Sequence, residues 1–436
     1  MASVIGDALL SFETKAAAML PNLDRIIRGV LYVFIFSLPF NLFLNLGRNS
    51  FIILIVLLVL WCGLHRRHFF LWTPIDLPLL LFIAWVGLTV PFAIFPAYSF
   101  KEYAKLLQHC LMFYALVYFF RAEIHRRRLV WVLMVALAVI GMYGVWQYEA
   151  KPWKGFHPDF PESGSRAVYL IYSFTPSDVW LTTYLVMMIP LGGAMALYVP
   201  DRRLKWLAGI TTVVAVLCEV LTFSRAGLVA ILLEAFTFVW ITRQKKVAII
   251  AGALTLALVI GTAVIFLVAQ ANPESQRIVP DRGKLTFSGL EARMNVWGFA
   301  LTKLQEHPVF GLGLGKDNFY IATGRESTQL LESEGTFIPG GTHNSFLDIA
   351  VGTGIPGVFL FLWLLAAIVR AGLVQFMTNE SPIPKALSLA LIAVVVGMSA
   401  RNFFDHMWVG TMAVMFWVIV GLCVESGARL SVASRA

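Results

Sequence analysis

The chain has 436 residues, of which 59% are hydrophobic and only 14% charged, with a mean hydropathy of +0.77. Soluble domains carry roughly 25% charged residues, so this composition excludes one and defines an integral membrane protein. The net charge of +9 is not read as a nucleic-acid footprint, because the basic residues sit in short clusters between apolar stretches.

Residues 1–24 alternate apolar and polar side chains without a continuous apolar core. That pattern argues against a cleavable signal peptide and for an interfacial helix. Apolar stretches near the length that crosses a hydrocarbon core as a helix, about 20 residues, then recur about twelve times. They centre on 27–46, 51–64, 76–97, 103–120, 129–147, 179–198, 204–222, 226–242, 247–269, 355–370, 385–400 and 407–424. The second and tenth are short enough to be tilted or partly re-entrant. The four cysteines, Cys62, Cys110, Cys218 and Cys423, all lie inside apolar spans, so neither a disulfide framework nor a thiolate metal site is expected.

Basic clusters occupy alternate connections: "HRRH" at 65–68, "RAEIHRRR" at 121–128, "DRRLK" at 201–205 and "TRQKK" at 242–246. The excess of Lys and Arg in cytoplasmic loops places these connections and both termini in the cytoplasm. The connections near 148–178 and 270–354 then face the other side. The chain divides accordingly into an N-terminal membrane region (1–269, about nine spans), a large outer loop (270–354) and a C-terminal membrane region (355–436, about three spans). Within the large loop, Ser288 and Glu291 have capping-box spacing, and Leu290, Met294, Trp297, Leu301 and Leu304 follow at helical intervals. Pro308 ends that predicted helix.

The outer connections hold the residues suited to chemistry. Four histidines fall there, His157, His307, His343 and His406, and histidine accepts a proton near neutral pH. His307 precedes a proline at a helix end, where capping explains it. His343 follows Gly340, Gly341 and Thr342, so the backbone can approach a ligand closely, and Asn344 adds a neutral hydrogen-bonding group. It is either a turn residue capping the next helix or a reactive base. Asp348 either orients it or caps the helix.

Arg225, in "LTFSRAG", lies between spans whose other ends are the clusters at 201–205 and 242–246, which puts it near the outer surface. An arginine there is expensive unless paired or ligand-bound, and Glu219 and Glu234 are its candidate structural partners. Arg293 falls on the apolar face of the capped helix, and Arg401, in "SARNFFDHMW", has Asp405 beside it. Arginines converging with a histidine suit a phosphate-bearing substrate, since guanidinium binds phosphate oxygens bidentately and stays charged. No nucleotide cradle is read: "GLGLGKD" at 311–317 lacks both the last glycine of a dinucleotide fingerprint and the Walker spacing, and is taken as a turn. No Asp-x-Asp pair occurs in the outer loops, and Glu332 and Glu334 in "LESE" read as an exposed acidic face. Neither a metal nor a cofactor is expected.

The stretch "HNSFLDIAVGTGIPG" resembles the signature of the O-antigen ligases: His, then Asn, Ser or Gln, nine residues, Gly, two residues, and Gly, Thr or Tyr. His343, Asn344, Gly354 and Gly357 occupy its positions, and the helical layout, "FSRAG" and "EARMNVW" extend the likeness. The resemblance implies an all-α integral membrane protein of the bacterial inner membrane, GT-C-like, with about twelve transmembrane helices and a large, partly helical periplasmic loop. It implies a glycosyltransferase that moves polysaccharide from undecaprenyl diphosphate to a sugar hydroxyl of the lipid A core, on the periplasmic side, without metal or nucleotide sugar. Its motif histidine maps to His343 and its two functional arginines to Arg225 and Arg293; Asn344, Asp348, Arg401 and Asp405 are supporting candidates.

Two rivals follow. A polymerase or an O-linked protein glycosyltransferase shares the motif and differs in acceptor. Protein-glycosylating relatives commonly carry a further domain after the last helix, whereas about a dozen residues follow 424 here. A flippase also suits twelve spans, but its site belongs near the midplane, often between repeats, while the unusual polar residues here cluster in the outer connections.

Overall fold

The computed structural model describes residues 22–150, 171–253, 255–256, 260, 288–316, 318–319 and 341–425. All regular structure among them is helical. The helices are α1 (22–37), α2 (Leu44–His65), α3 (Asp76–Thr89), α4 (Pro96–Phe119), α5 (Glu123–Ala150), α6 (Asp178–Tyr198), α7 (Arg202–Leu221), α8 (Arg225–Thr242), α9 (beginning at 245), α10 (Ser288–Glu306), α11 (Ser345–Thr378), α12 (Pro382–Phe403) and α13 (Gly410–Cys423).

By length and composition, seven of the described helices can cross a membrane: α2, α5, α6, α7, α8, α11 and α12. The other predicted spans differ for identifiable reasons. The stretch 27–46 is interrupted after residue 37, where Pro39 lacks a donor for helix continuation, and the chain turns through a short 3-10 segment (Asn41–Phe43) into α2. Helices α3 and α13 are apolar but only 14 residues long. The first half of α4 is polar, with Lys101, Glu102, Lys105, Gln108 and His109. The stretch 247–269 lies largely outside the described residues. Conversely, the segment expected at 355–370 belongs to a helix that already starts at Ser345 and runs for 34 residues.

Helix α12 forms the hub, packed against α6, α8 and α11. Its sequence is small and apolar on every face, as a helix surrounded by others requires. Around it, α6 packs on α7 and α8, α5 on α7, α3 and α10 on α11, and α4 on α13. At one end, Arg126 at the start of α5 and Glu425 after α13 form a buried ion pair at 2.9 Å. The other end carries the motif. All four cysteines are free thiols.

Candidate functional site

The motif is built on two devices, one at each end of its fifteen residues. At the first, Asn344 is the N-cap of α11: its Oδ1 accepts from the backbone N–H groups of Phe346 (2.9 Å) and Leu347 (3.2 Å). Such caps satisfy donors that the first helical turn leaves unpaired. The capping role thus falls to Asn344, and His343 is left free of it. His343 itself has φ 51°, an uncommon conformation for a non-glycine residue.

The loop before it is tied down from beneath. Buried Thr342 donates its hydroxyl (2.8 Å) and its backbone N–H (3.2 Å) to Asp348 Oδ1. Its carbonyl accepts from Trp297 Nε1 of α10 at 2.9 Å. Asp348 therefore anchors the loop through Thr342.

A different carboxylate faces His343. In the turn between α12 and α13, Asp405 Oδ1 lies 3.5 Å from His343 Nδ1 and 3.5 Å from His406 Nδ1, while its Oδ2 accepts from Arg401 Nη2 at 3.0 Å. The same Oδ1 accepts from the His406 backbone N–H at 3.0 Å. The two imidazole centroids are 5.2 Å apart. This turn is stitched to α11: Ser345 donates its N–H to the Asp405 carbonyl (3.0 Å) and its hydroxyl to Asn402 Oδ1 (2.8 Å), which also accepts from Met407 N–H (2.7 Å). Arg401 is only 4% exposed and Asp405 13%, whereas His343 keeps 28% of its side chain accessible. The charged supports are buried and the histidine is presented.

Burial works to raise the pKa of Asp405, but the His343 imidazole beside it, the Arg401 charge and the hydrogen bond from the His406 N–H outweigh it and hold the carboxyl well below the usual carboxylate range. His406 is shifted down from its ordinary value by burial, against the opposing pull of the Asp348 and Asp405 carboxylates. Asp405 is thus a fixed negative charge facing two imidazoles.

At the second end of the motif, Gly354 breaks α11 with φ 76° and ψ 179°. The segment after α10 docks into that break. The Leu312 and Gly313 N–H groups donate to the Val351 and Gly352 carbonyls (2.7 and 3.0 Å), and Ile355 N–H donates to the Pro308 carbonyl (2.8 Å). A Cβ on Gly354 would lie 1.9 Å from the Val309 carbonyl oxygen, so only glycine permits this approach. The "GLGLG" segment is the turn expected of it, and its function is to lock α10 and the motif together.

Arg225 is the exposed first residue of α8, which Ser224 caps by accepting from Gly227 N–H at 3.2 Å. Arg293 is half-buried on α10, one helical turn before Trp297, which holds the motif loop and packs its ring on Phe403 of α12. Helix α10 thus touches the motif loop through Trp297, while α8 packs on α12, the helix that carries Arg401. Glu219 and Glu234 are buried. His157, Gly340, Glu332, Glu334 and the side chains of Ser288, Leu290 and Glu291 lie outside the described residues.

The sequence marks His406 only as one of four outer histidines and matches Asp405 by location more than by motif. Both lie some sixty positions beyond His343, and the "RNFFDH" run reveals its place only when the α12–α13 turn folds back on Ser345. Among the described residues, His343, Asp405 and His406 form one group able to hold a metal ion, their ligand atoms lying within 4.8 Å of one another. Two histidines and a carboxylate are a familiar ligand set. Here, however, the guanidinium of Arg401 already occupies one carboxylate oxygen, and its charge opposes a divalent cation.

These features define a helical membrane protein with a histidine–carboxylate–arginine centre at one end of its bundle. Residues 210–362, roughly a third of the chain, match the model of a family described as O-antigen ligase, and it is this part of the chain that is similar to it. The matched region includes Arg225, Arg293 and His343, and stops short of Arg401, Asp405 and His406. A protein of Rickettsia conorii named "Putative polysaccharide ligase" is 28% identical over 130 residues, which cover 29% of this chain and 30% of that relative. The chain thus matches less than a third of that relative's length.

Proposed function

We propose that the protein is a metal-independent glycosyltransferase that transfers polysaccharide from undecaprenyl diphosphate to a sugar hydroxyl of the lipid A core. In this reading about twelve GT-C-like helices cross the bacterial inner membrane, with both termini cytoplasmic and the centre facing the periplasm. The observation that carries it is His343 set on Asp405, with Arg401 buried behind the carboxylate. Nδ1 engages Asp405, which leaves Nε2 for an acceptor hydroxyl, the arrangement in which a carboxylate fixes tautomer and ring orientation.

The reaction balances without a cofactor. His343 takes the hydroxyl proton as the acceptor oxygen bonds to the anomeric carbon. The bond from that carbon to the diphosphate oxygen breaks on the opposite face, and the electron pair leaves on the diphosphate. Displacement in one step inverts the anomeric centre. Arg225 and Arg293 meet the charge that grows on the leaving group, and the loss of one such donor typically costs around 3 kcal/mol. A positioned base contributes about 10² to 10⁴ in rate.

The test is transfer of glycan from purified undecaprenyl diphosphate donor to lipid A-core by the intact protein, with EDTA present, beside His343→Ala and Arg225→Ala. Transfer that survives EDTA and falls by about two orders of magnitude or more in both variants supports the reading. Loss with EDTA, restored by a divalent ion, would move His343, Asp405 and His406 from proton transfer to metal ligation. Extension of the donor alone would make the protein a polymerase.

A further inference from the structure

Two apolar recesses flank α11 and end beside the histidine centre. The first is a shallow groove of about 570 Å³ between α8, α11 and α12, lined by residues such as Val229, Leu233, Val396 and Phe403. Val229 lies one helical turn from Arg225, so this groove leads away from the arginines. The second is a cavity of about 320 Å³ between α3, α4, α11 and α13. Phe361, Phe416 and Trp417 line its apolar part, and Asp348, His406 and Lys316 line the part nearest the centre. The two recesses use neighbouring faces of α11 and share Leu365.

The cavity wall on α4 is unusual for a helix in a membrane bundle. Residues 110–120 are wholly apolar or aromatic, whereas Glu102, Lys105 and His109, spaced to lie on one face, point their polarity at the cavity. Charged groups that face a cavity in a helical membrane bundle mark a ligand path by default. Lys105 donates to Glu102 Oε1 at 2.6 Å, yet its side chain stays 47% exposed. On the facing wall, Lys316 is exposed, and its Cβ lies 3.9 Å from where a Cβ on Gly341 would stand. A cavity apolar below and lysine-bearing above is complementary to a lipid with an anionic head.

We propose that this cavity is the acceptor's site: it takes acyl chains of a phosphorylated glycolipid against Phe361, Phe416 and Trp417, with Lys105 and Lys316 holding its phosphate so that a sugar hydroxyl reaches His343. The inference rests on the transfer reaction above. The nearly wholly apolar groove beside Arg225 suits the other substrate, whose only polar part at the membrane is its diphosphate. The two lipids then approach the centre along different faces of α11 and do not compete for one recess.

The experiment uses the full chain in lipid nanodiscs and a diphosphorylated acyl-disaccharide with a diazirine in one acyl chain. Cross-links on Phe361, Phe416 or Trp417, retained with excess undecaprenyl diphosphate, are expected. Cross-links on Val229 or Val396 instead, or displacement by undecaprenyl diphosphate, would overturn the assignment. Lys105→Glu and Lys316→Glu are each expected to raise the KM for the glycolipid about tenfold with the donor KM unchanged; a shift in donor KM alone counts against it. If the intact protein transfers no glycan, the proposed reaction fails, while the cross-linking map still decides whether the cavity holds a phosphorylated glycolipid.

Discussion

The two ends of one motif make a useful contrast. Between Thr342 and Asp348 every polar group is spent on holding a single ring in place: Asn344 caps, Thr342 bonds to Asp348, Ser345 reaches the α12–α13 turn, and His343 alone is presented. Between Val351 and Gly357 the side chains recede and the backbone does the binding, accepting Leu312 and Gly313 N–H groups at a break that Gly354 makes possible. A short signature can thus encode chemistry at one end and chain docking at the other. Losses at the two ends have different signatures, in rate and in stability.

The sharpest separation comes from Asp405→Asn. It keeps shape and removes the charge that faces both imidazoles and Arg401, so turnover should fall by about 10² to 10⁴ with acceptor KM little changed, a loss far larger than the accompanying drop in melting temperature explains, as steady-state kinetics and thermal unfolding would read. Unaltered turnover would mean that Asp405 only secures the turn. At the other end, Gly354→Ala forces a Cβ against the Val309 carbonyl at a positive φ. It should destabilise by about 2–4 kcal/mol, visible as a lower melting temperature in detergent, while the surviving folded fraction keeps its turnover.

Smaller effects refine the contrast. Asn344→Ala removes the α11 cap and should cost about 1 kcal/mol in stability, and if turnover falls far more than that, Asn344 touches substrate as well. The charge on Asp405 gives a pH test. Its folded pKa is depressed, so its stabilising contribution is complete above its ordinary value near 4 and disappears only as pH falls through the lower, folded value. The difference in melting temperature between the intact protein and Asp405→Asn should therefore hold constant from pH 8 to about 5 and shrink in stronger acid.

Much of this was legible in sequence, and the misses have physical causes. Apolar runs located the helices because burial in lipid demands continuous apolar length, and the α10 helix followed from its heptad-like spacing. Run length alone overlooked the break at Pro39 and the polar half of α4, since both depend on what each residue faces. His343 stood out by its glycine neighbours. Its partner did not, because Asp405 and His406 reach it through a tertiary turn, and hydropathy carries no record of which outer connections meet. The glycines of the motif announced close approach without saying to what; the answer, the carbonyls of Pro308 and Val309, lies on the far side of α10.

The break at Gly354 also bears on how the protein sits in bilayers of different thickness. A continuous helix of 34 residues would act as a lever, and any tilt that fits its lower part to the surrounding lipid would swing His343 at its tip. Here the nine residues above the break are fastened to the 308–313 segment and to the α12–α13 turn, so the lower part can lean while the upper part keeps its post. The His343 ring is mechanically insulated from the tilt of the helix below it.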